Sequence, residues 1–285
     1  MGWRVRLNSY QSILILNIRV ISRLVTVLVL LVGLSLPAHA EEITVAAAAD
    51  LTFAFHEVAT EFQQATGNSI RLSFGSSGNF FSQIRNGAPY DVFFSADVSY
   101  PKKLAAAGLT EPGSMYQYAR GQIVVWIPEK SRLDVTRGLQ ILLDPAIRKT
   151  AIANPEHAPY GRAAIAAMRH TGVYEKVRGK LIYGENIAQA AQFVQSGNAD
   201  AGVLALSIAK SPTIKAQGKY SIVPLSDYPP LEQAGVILKT SRNKAAARMF
   251  LDFLKRPAAV KIMARYGFMA PGKSIDNSAP ETRSE

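Results

Sequence analysis

The sequence contains no cysteine. Disulfides, a thiolate nucleophile, Cys-ligated metals and a thiol-linked lipid anchor are therefore excluded. Histidine is scarce, four in 285 residues, and no two stand at metal-ligand spacing. No Gly-x-Gly-x-x-Gly and no phosphate-loop Lys motif occurs, and no Ser lies in a nucleophile-elbow pattern. Internal repeats and low-complexity tracts are absent too. Acids are outnumbered: the formal charge is +11. The bases are scattered and not interleaved with aromatics, so nucleic acid is not the expected partner. A weakly basic surface can instead attract a small anion. With 48% hydrophobic residues and ordinary Gly and Pro, the chain is globular, long enough for one large domain or two modest ones.

Residues 1–40 read as a secretory signal. Arg4, Arg6, Arg19 and Arg23 stand there with no acid; without those four, 28 of the 32 bases remain against 21 acids, a net of +7. Leu24 to Leu36 is apolar but shorter than the ~20 residues of a comfortable membrane span. Pro37-Ala38-His39-Ala40 then ends in a small-x-small cleavage site. Cleavage near Ala40 and a periplasmic location are expected, an uncleaved anchor being the alternative.

The rest alternates strand and helix, the pattern of a parallel sheet covered by helices. Ile43 to Ala48 reads as a buried strand. Phe55, Val58, Ala59 and Phe62 follow at helical spacing, ended by Gly67-Asn68. Val92-Phe93-Phe94, Gln122 to Trp126, Ala151 to Ala153, Leu181 to Tyr183, Ala201 to Leu204 and Ala234 to Leu238 read as further strands. Asp144-Pro145 is expected to open a helix. Breaks near 115–121 and 227–231 suggest two α/β lobes: 41–121 with 230–273 as one, 122–229 as the other, and a polar tail over 274–285. Each lobe is expected to be a mixed sheet flanked by helices, with the ligand cleft between lobes.

Four strand-to-helix turns draw attention: Ala49-Asp50, Ser76-Ser77-Gly78, Pro159-Tyr160-Gly161 and Asn186-Ile187. Each offers N–H groups at a helix start, where a partial positive charge adds to free donors. None carries Lys or Arg at the turn. Such a set can hold a bare oxyanion with neutral dipoles, although a serine at a helix start is equally a common N-cap. Asp50 with Asp91 or Asp97 is the one carboxylate pairing an enzyme could use; capping or solvated roles fit Asp91 and Asp97 better.

Ile43-Thr44-Val45-Ala46-Ala47-Ala48-Ala49-Asp50-Leu51, Ser73 to Gly78, Asn86 to Asp97, Asn154 to Gly161 and Arg265-Tyr266-Gly267-Phe268 resemble the periplasmic molybdate- and tungstate-binding proteins of ABC importers. The resemblance runs in order through nearly all of 41–270. It implies a two-lobed periplasmic-binding-protein fold of the second type, an α/β class. It also implies molybdate or tungstate as ligand, no cofactor, no catalysis, a monomer, and a permease and ATPase as partners. By motif, Ser77, Tyr160, Ile187 and Asp50 match the ligand-contacting positions, with Ala49, Ser76 and Asn186 as further candidates. In one branch of the family the Tyr160 hydroxyl is implied to reach the ligand; that branch lacks a tyrosine near 205, as this chain does with Ala205. Asp50 departs from the pattern, which has Ser or Asn there. It is expected to cap its own helix start; a protonated, donating carboxyl or a different ligand are the alternatives. Ser77→Ala is expected to weaken anion binding with little effect on folding. Sulfate, phosphonate or ferric binding in the same fold, or a two-lobed enzyme, are the rival functions.

Overall fold

The computed structural model describes residues 40–272. The secretory-signal reading, Ala40 apart, and the polar-tail reading lie outside the described residues. No helix among the described residues is long and apolar enough to cross a membrane.

Among the described residues ten strands form two five-stranded sheets. β1 (Glu42–Ala48), β2 (Ser69–Gly75), β3 (Val92–Ser95), β4 (Tyr116–Gly121) and β10 (Leu231–Ile237) build the first, in the order β2-β1-β3-β10-β4. β5 (Ile123–Pro128), β6 (Thr150–Ala153), β7 (Leu181–Gly184), β8 (Ala201–Ala205) and β9 (Gly218–Ile222) build the second, in the order β7-β6-β8-β5-β9. Both are mixed. β1 pairs in parallel with β2 and β3, while β10 runs antiparallel to β3 and β4. In the second sheet β6 is parallel to β7 and β8, and β5 is antiparallel to β8 and β9.

Helices of eight or more residues among the described ones flank the sheets: α1 (Thr52–Thr66), α2 (Ser77–Arg85), α3 (Ser99–Ala106), α4 (Pro159–His170), α5 (Ile187–Gln195), α6 (Lys244–Phe253) and α7 (Pro257–Arg265). The two-residue period of the strands sorts their side chains between two helix layers. Ile43, Val45 and Ala47 of β1 join α1, α6 and α7 in one core, whereas Ala46 joins Phe80, Ile84 and Leu104 of α2 and α3 in the other. Edge-on packing of Phe94 against Phe55 at 4.8 Å and Phe250 at 5.6 Å ties β3 to α1 and α6. Such aromatic pairs each add about 0.5–1.5 kcal/mol beyond burial.

Two local readings differ from expectation. Asp144-Pro145 opens no helix: the Asp144 carboxylate accepts from Ala146 N–H at 3.0 Å, and Ile147 N–H returns to the Asp144 carbonyl, so the segment closes as a single turn. The strand expected at Ala234 begins at Leu231 and contains a bulge between Gln233 and Ala234.

The chain passes from the first sheet to the second across Gln122 alone, and returns through Val223–Pro230. The carboxyl ends of the parallel strands of both lobes therefore face one cleft, the place where open α/β sheets collect ligands.

Candidate functional site

Every site residue expected from sequence reaches this cleft. Ala49, Asp50, Ser76, Ser77, Tyr160, Asn186 and Ile187 line one small cavity, with Ala96, Ala158 and their neighbours completing it. No Lys, Arg or His lines it.

Three helix starts each leave one amide for the cavity. At α2, Ser76 is the N-cap: its Oγ accepts from Asn79 N–H at 3.4 Å and its carbonyl accepts from Phe80 N–H. Gly78 N–H donates across the cleft to the His157 carbonyl at 2.9 Å. Ser77 N–H, in the first turn where no intrahelical acceptor exists, is what remains. At α4, Pro159 has no N–H, and Gly161 and Arg162 N–H both donate to the Ala158 carbonyl, leaving Tyr160 N–H. At α5, the Asn186 side chain accepts from Ala188 and Gln189 N–H, and its carbonyl from Ala190 N–H, leaving Ile187 N–H. Ser77 adds a hydroxyl: Oγ accepts from Ala96 N–H at 3.0 Å, so its proton is free to point elsewhere. The two adjacent serines thus divide the work, Ser76 capping the helix and Ser77 holding the Ala96 N–H.

Asp50 does not cap its own helix start. The 3-10 turn Ala49–Leu51 has no side-chain cap bond. The carboxyl instead crosses to Tyr160, whose hydroxyl donates to Oδ2 at 2.9 Å, and to Gln233, whose Nε2 donates to the same oxygen at 2.7 Å. Gln233 also donates to the Tyr160 hydroxyl at 3.1 Å, and Tyr118 orients the amide by donating to its Oε1 at 2.7 Å. Ser207 donates to the Asp50 carbonyl at 2.7 Å. Asp50 Oδ1 is buried without a partner. Burial pushes this carboxyl up to about 6, with Gln233, Tyr160 and, least, its own backbone N–H only partly opposing it. Tyr160 and Tyr118 are held well above the usual phenol range, by burial first and then by the Asp50 charge, so both stay donors. The Tyr160 hydroxyl proton is committed to Asp50, and the Tyr160 backbone N–H, in the first turn of α4, has no acceptor in its own helix.

Gln233, Tyr118 and Ser207 are functional neighbours that sequence reading missed. Gln233 has one visible signal, a buried amide just before the apolar run Ala234 to Ile237; the bulge beside it re-aims the side chain, as bulges near sites do. Gly121 makes room for the group, since a Cβ there would stand 2.2 Å from the Tyr160 hydroxyl and 2.6 Å from Gln233 Nε2.

Asp91 and Asp97 do not join Asp50. Asp91 accepts from Thr44 N–H at 2.7 Å, Thr44 Oγ1 at 2.9 Å and Ser241 Oγ at 2.6 Å. Asp97 caps Ser99 N–H at 2.8 Å and pairs with Arg162 at 2.7 Å across the cleft. Further bridges close the rim: His157 Nδ1 lies 3.0 Å from Ser76 Oγ, and Asn79 donates to Glu185. Among the described residues no cluster of three or more His, Asp or Glu stands where it could hold a metal cation.

Residues 43–269 match the family described as bacterial extracellular solute-binding protein. A molybdate-binding protein ModA of Rhodobacter capsulatus is 42% identical, covering 86% of this chain and 94% of that one. The structure of the Azotobacter vinelandii periplasmic molybdate-binding protein superposes with a TM-score of 0.76 at 35% identity, covering 80% and 99% of the two chains. The sulfate-binding protein SubI of Mycobacterium tuberculosis H37Rv has the same fold, with a TM-score of 0.66 at 17% identity, covering 81% of this chain and 88% of that one.

Proposed function

This chain belongs to the bacterial extracellular solute-binding proteins, and from that premise we propose that it captures molybdate or tungstate between its lobes and delivers it to an ABC importer. The observation that carries this reading is the convergence of one free N–H from each of three helix starts, with the Ser77 hydroxyl, on a small cavity without Lys or Arg. Oxyanion oxygens only accept hydrogen bonds, and each bond to a charged group contributes about 1.5–3 kcal/mol. Helix dipoles add about 0.3–1 kcal/mol each, up to about 2 when partly buried. Several such terms offset the cost of stripping a small dianion of water.

Residues 41–121 with 230–272 form one closing lobe and 122–229 the other. Ligand favours the closed form because only there do Ser77, on one side, and Tyr160 and Ile187, on the other, reach the same ion. Molybdate, rather than another tetrahedral anion, is supported by the relatives named for it. Binding rather than catalysis is supported by the same relatives and by the engagement of Asp91 and Asp97 elsewhere. Delivery implies a permease and an ATPase as partners, and the protein works as a monomer in the periplasm.

Thermal unfolding tests the reading. Molybdate at about 100 times its Kd adds about 2.7 kcal/mol, a rise in Tm of roughly 5–10 °C for a chain of this size. Tungstate is expected to act alike, and sulfate at equal concentration to leave Tm unchanged. A rise with sulfate or phosphate and none with molybdate would keep the fold and change the ligand.

A further inference from the structure

Asp50 poses a chemical conflict that the oxyanion reading, on which this inference rests, does not resolve by itself. An oxyanion offers only acceptors, and an ionised carboxylate offers only acceptors as well. Yet Asp50 lines the same cavity as Ser77, Tyr160 and Ile187. Its Oδ2 already receives two hydrogen bonds, from Tyr160 and Gln233. The direction of those bonds follows from the shortest contacts: Tyr118 donates to Gln233 Oε1 at 2.7 Å, closer than its other acceptor, the Ser95 carbonyl at 3.3 Å, which turns the NH2 toward Asp50, and Gln233 donates to the Tyr160 hydroxyl, which turns that proton toward Oδ2. Oδ2 is therefore an acceptor in this network and carries no proton. Oδ1 is buried and has no partner. A proton placed on the carboxyl sits on Oδ1, the oxygen that the network leaves without a partner, on a residue that lines the cavity.

We infer that Asp50 holds the oxyanion as a neutral carboxylic acid, donating Oδ1–H to it, so that each binding event takes up one proton from solvent. The proton comes from water or buffer and stays on Oδ1; the anion itself gains none, and release of the anion returns it. The Tyr160–Gln233–Tyr118 network positions that proton, which makes this chain's Asp a pH-dependent counterpart of an amide donor.

The groups facing Asp50 are few. Tyr160 comes from α4 and Tyr118 from β4, both kept protonated by burial. Gln233 comes from β10 and Ser207 from the helical turn Leu206–Ala209, and neither titrates. The carboxyl of Asp50 itself, raised by burial to about 6, is largely ionised at pH 7 before the anion arrives. Histidine is the other side chain that takes up protons near neutrality, and His157 stands on the cleft rim beside Ser76 and Glu185.

Titration calorimetry of the full protein with molybdate, repeated in buffers of different protonation enthalpy, counts the protons. The expected result at pH 7 is an uptake of about one proton per anion, with affinity falling about tenfold per pH unit between pH 7 and 8. Asp50→Asn, in which an amide supplies the donor, is expected to abolish the uptake and flatten that slope; His157→Gln is expected to retain both. Molybdate binding without proton uptake in the wild-type protein overturns the inference and leaves the molybdate reading standing. Loss of the uptake in His157→Gln also overturns it, by moving the proton to the rim. No binding of molybdate or tungstate overturns the functional reading, and this inference with it.

Discussion

Gly78→Ala separates closure of the cleft from folding of the lobes. Gly78 is the second residue of α2, and its N–H donates to the His157 carbonyl of the opposite lobe at 2.9 Å. A Cβ at this position would stand 2.6 Å from that carbonyl oxygen and 2.9 Å from His157 Cα. Backbone atoms cannot swing aside as a flexible side chain can, so the lobes must part to admit the methyl group. The closed form then loses a hydrogen bond of about 0.5–1.5 kcal/mol and meets an overpacking cost of about 1–3 kcal/mol. Together these weaken anion affinity by roughly 10- to 1,000-fold. Within α2 the change works the other way, because Ala is favoured over Gly in a helix by about 0.8–1 kcal/mol. Titration with molybdate should therefore show the loss, while thermal unfolding of the ligand-free variant should be unchanged or slightly higher than wild type. Affinity within threefold of wild type would refute closure at this contact as the binding step.

Three further outcomes are expected. Ser77→Ala should weaken molybdate binding by about 1.5–3 kcal/mol, read by calorimetry; it should also lower stability in a urea titration by about 1–3 kcal/mol, because Ser77 Oγ is the acceptor for the buried Ala96 N–H. Asp50 sits at about 6 when folded and about 3.9 when unfolded, so its favourable contribution is complete below about pH 4 and lost as pH rises through 6. Asp50→Asn has no such loss, and without ligand it should exceed wild type at pH 8 by on the order of 1–3 kcal/mol, a gap that closes by pH 4 in denaturant titrations. Gly121→Ala should push Tyr160 and Gln233 off Asp50 and destabilise the protein by about 1–3 kcal/mol, measured by the shift in urea midpoint.

Local signals carried much of this protein. Ser76, Pro159 and Asn186 announce their helix starts through capping preferences and proline's fixed φ, which act over two or three residues. The alternation of buried strands with amphipathic helices likewise declares the α/β class. Asp50 was not legible in that way. Its partners lie 110 residues away at Tyr160 and 183 residues away at Gln233, and only the folding of two sheets against one cleft brings them together. The helix expected at Asp144 failed for a related reason: an Asp-Pro pair fits the first turn of a helix and a lone turn equally well, and nothing nearby extends it. Little effect of Ser77→Ala on folding was a fair expectation for a turn residue; the bond to Ala96, a long-range contact to the end of β3, changes it.

The central claim is that one small oxyanion is held by neutral donors between the lobes, and that its size selects it. Titration calorimetry on the ligand-stripped protein with molybdate, tungstate, sulfate and phosphate in turn tests this most directly. Backbone donors fixed at α2, α4 and α5 cannot follow a smaller ion inward, so saturable one-to-one binding is predicted for molybdate and tungstate and none for sulfate or phosphate. Sulfate or phosphate binding as tightly as molybdate, or binding of none of the four, would contradict it.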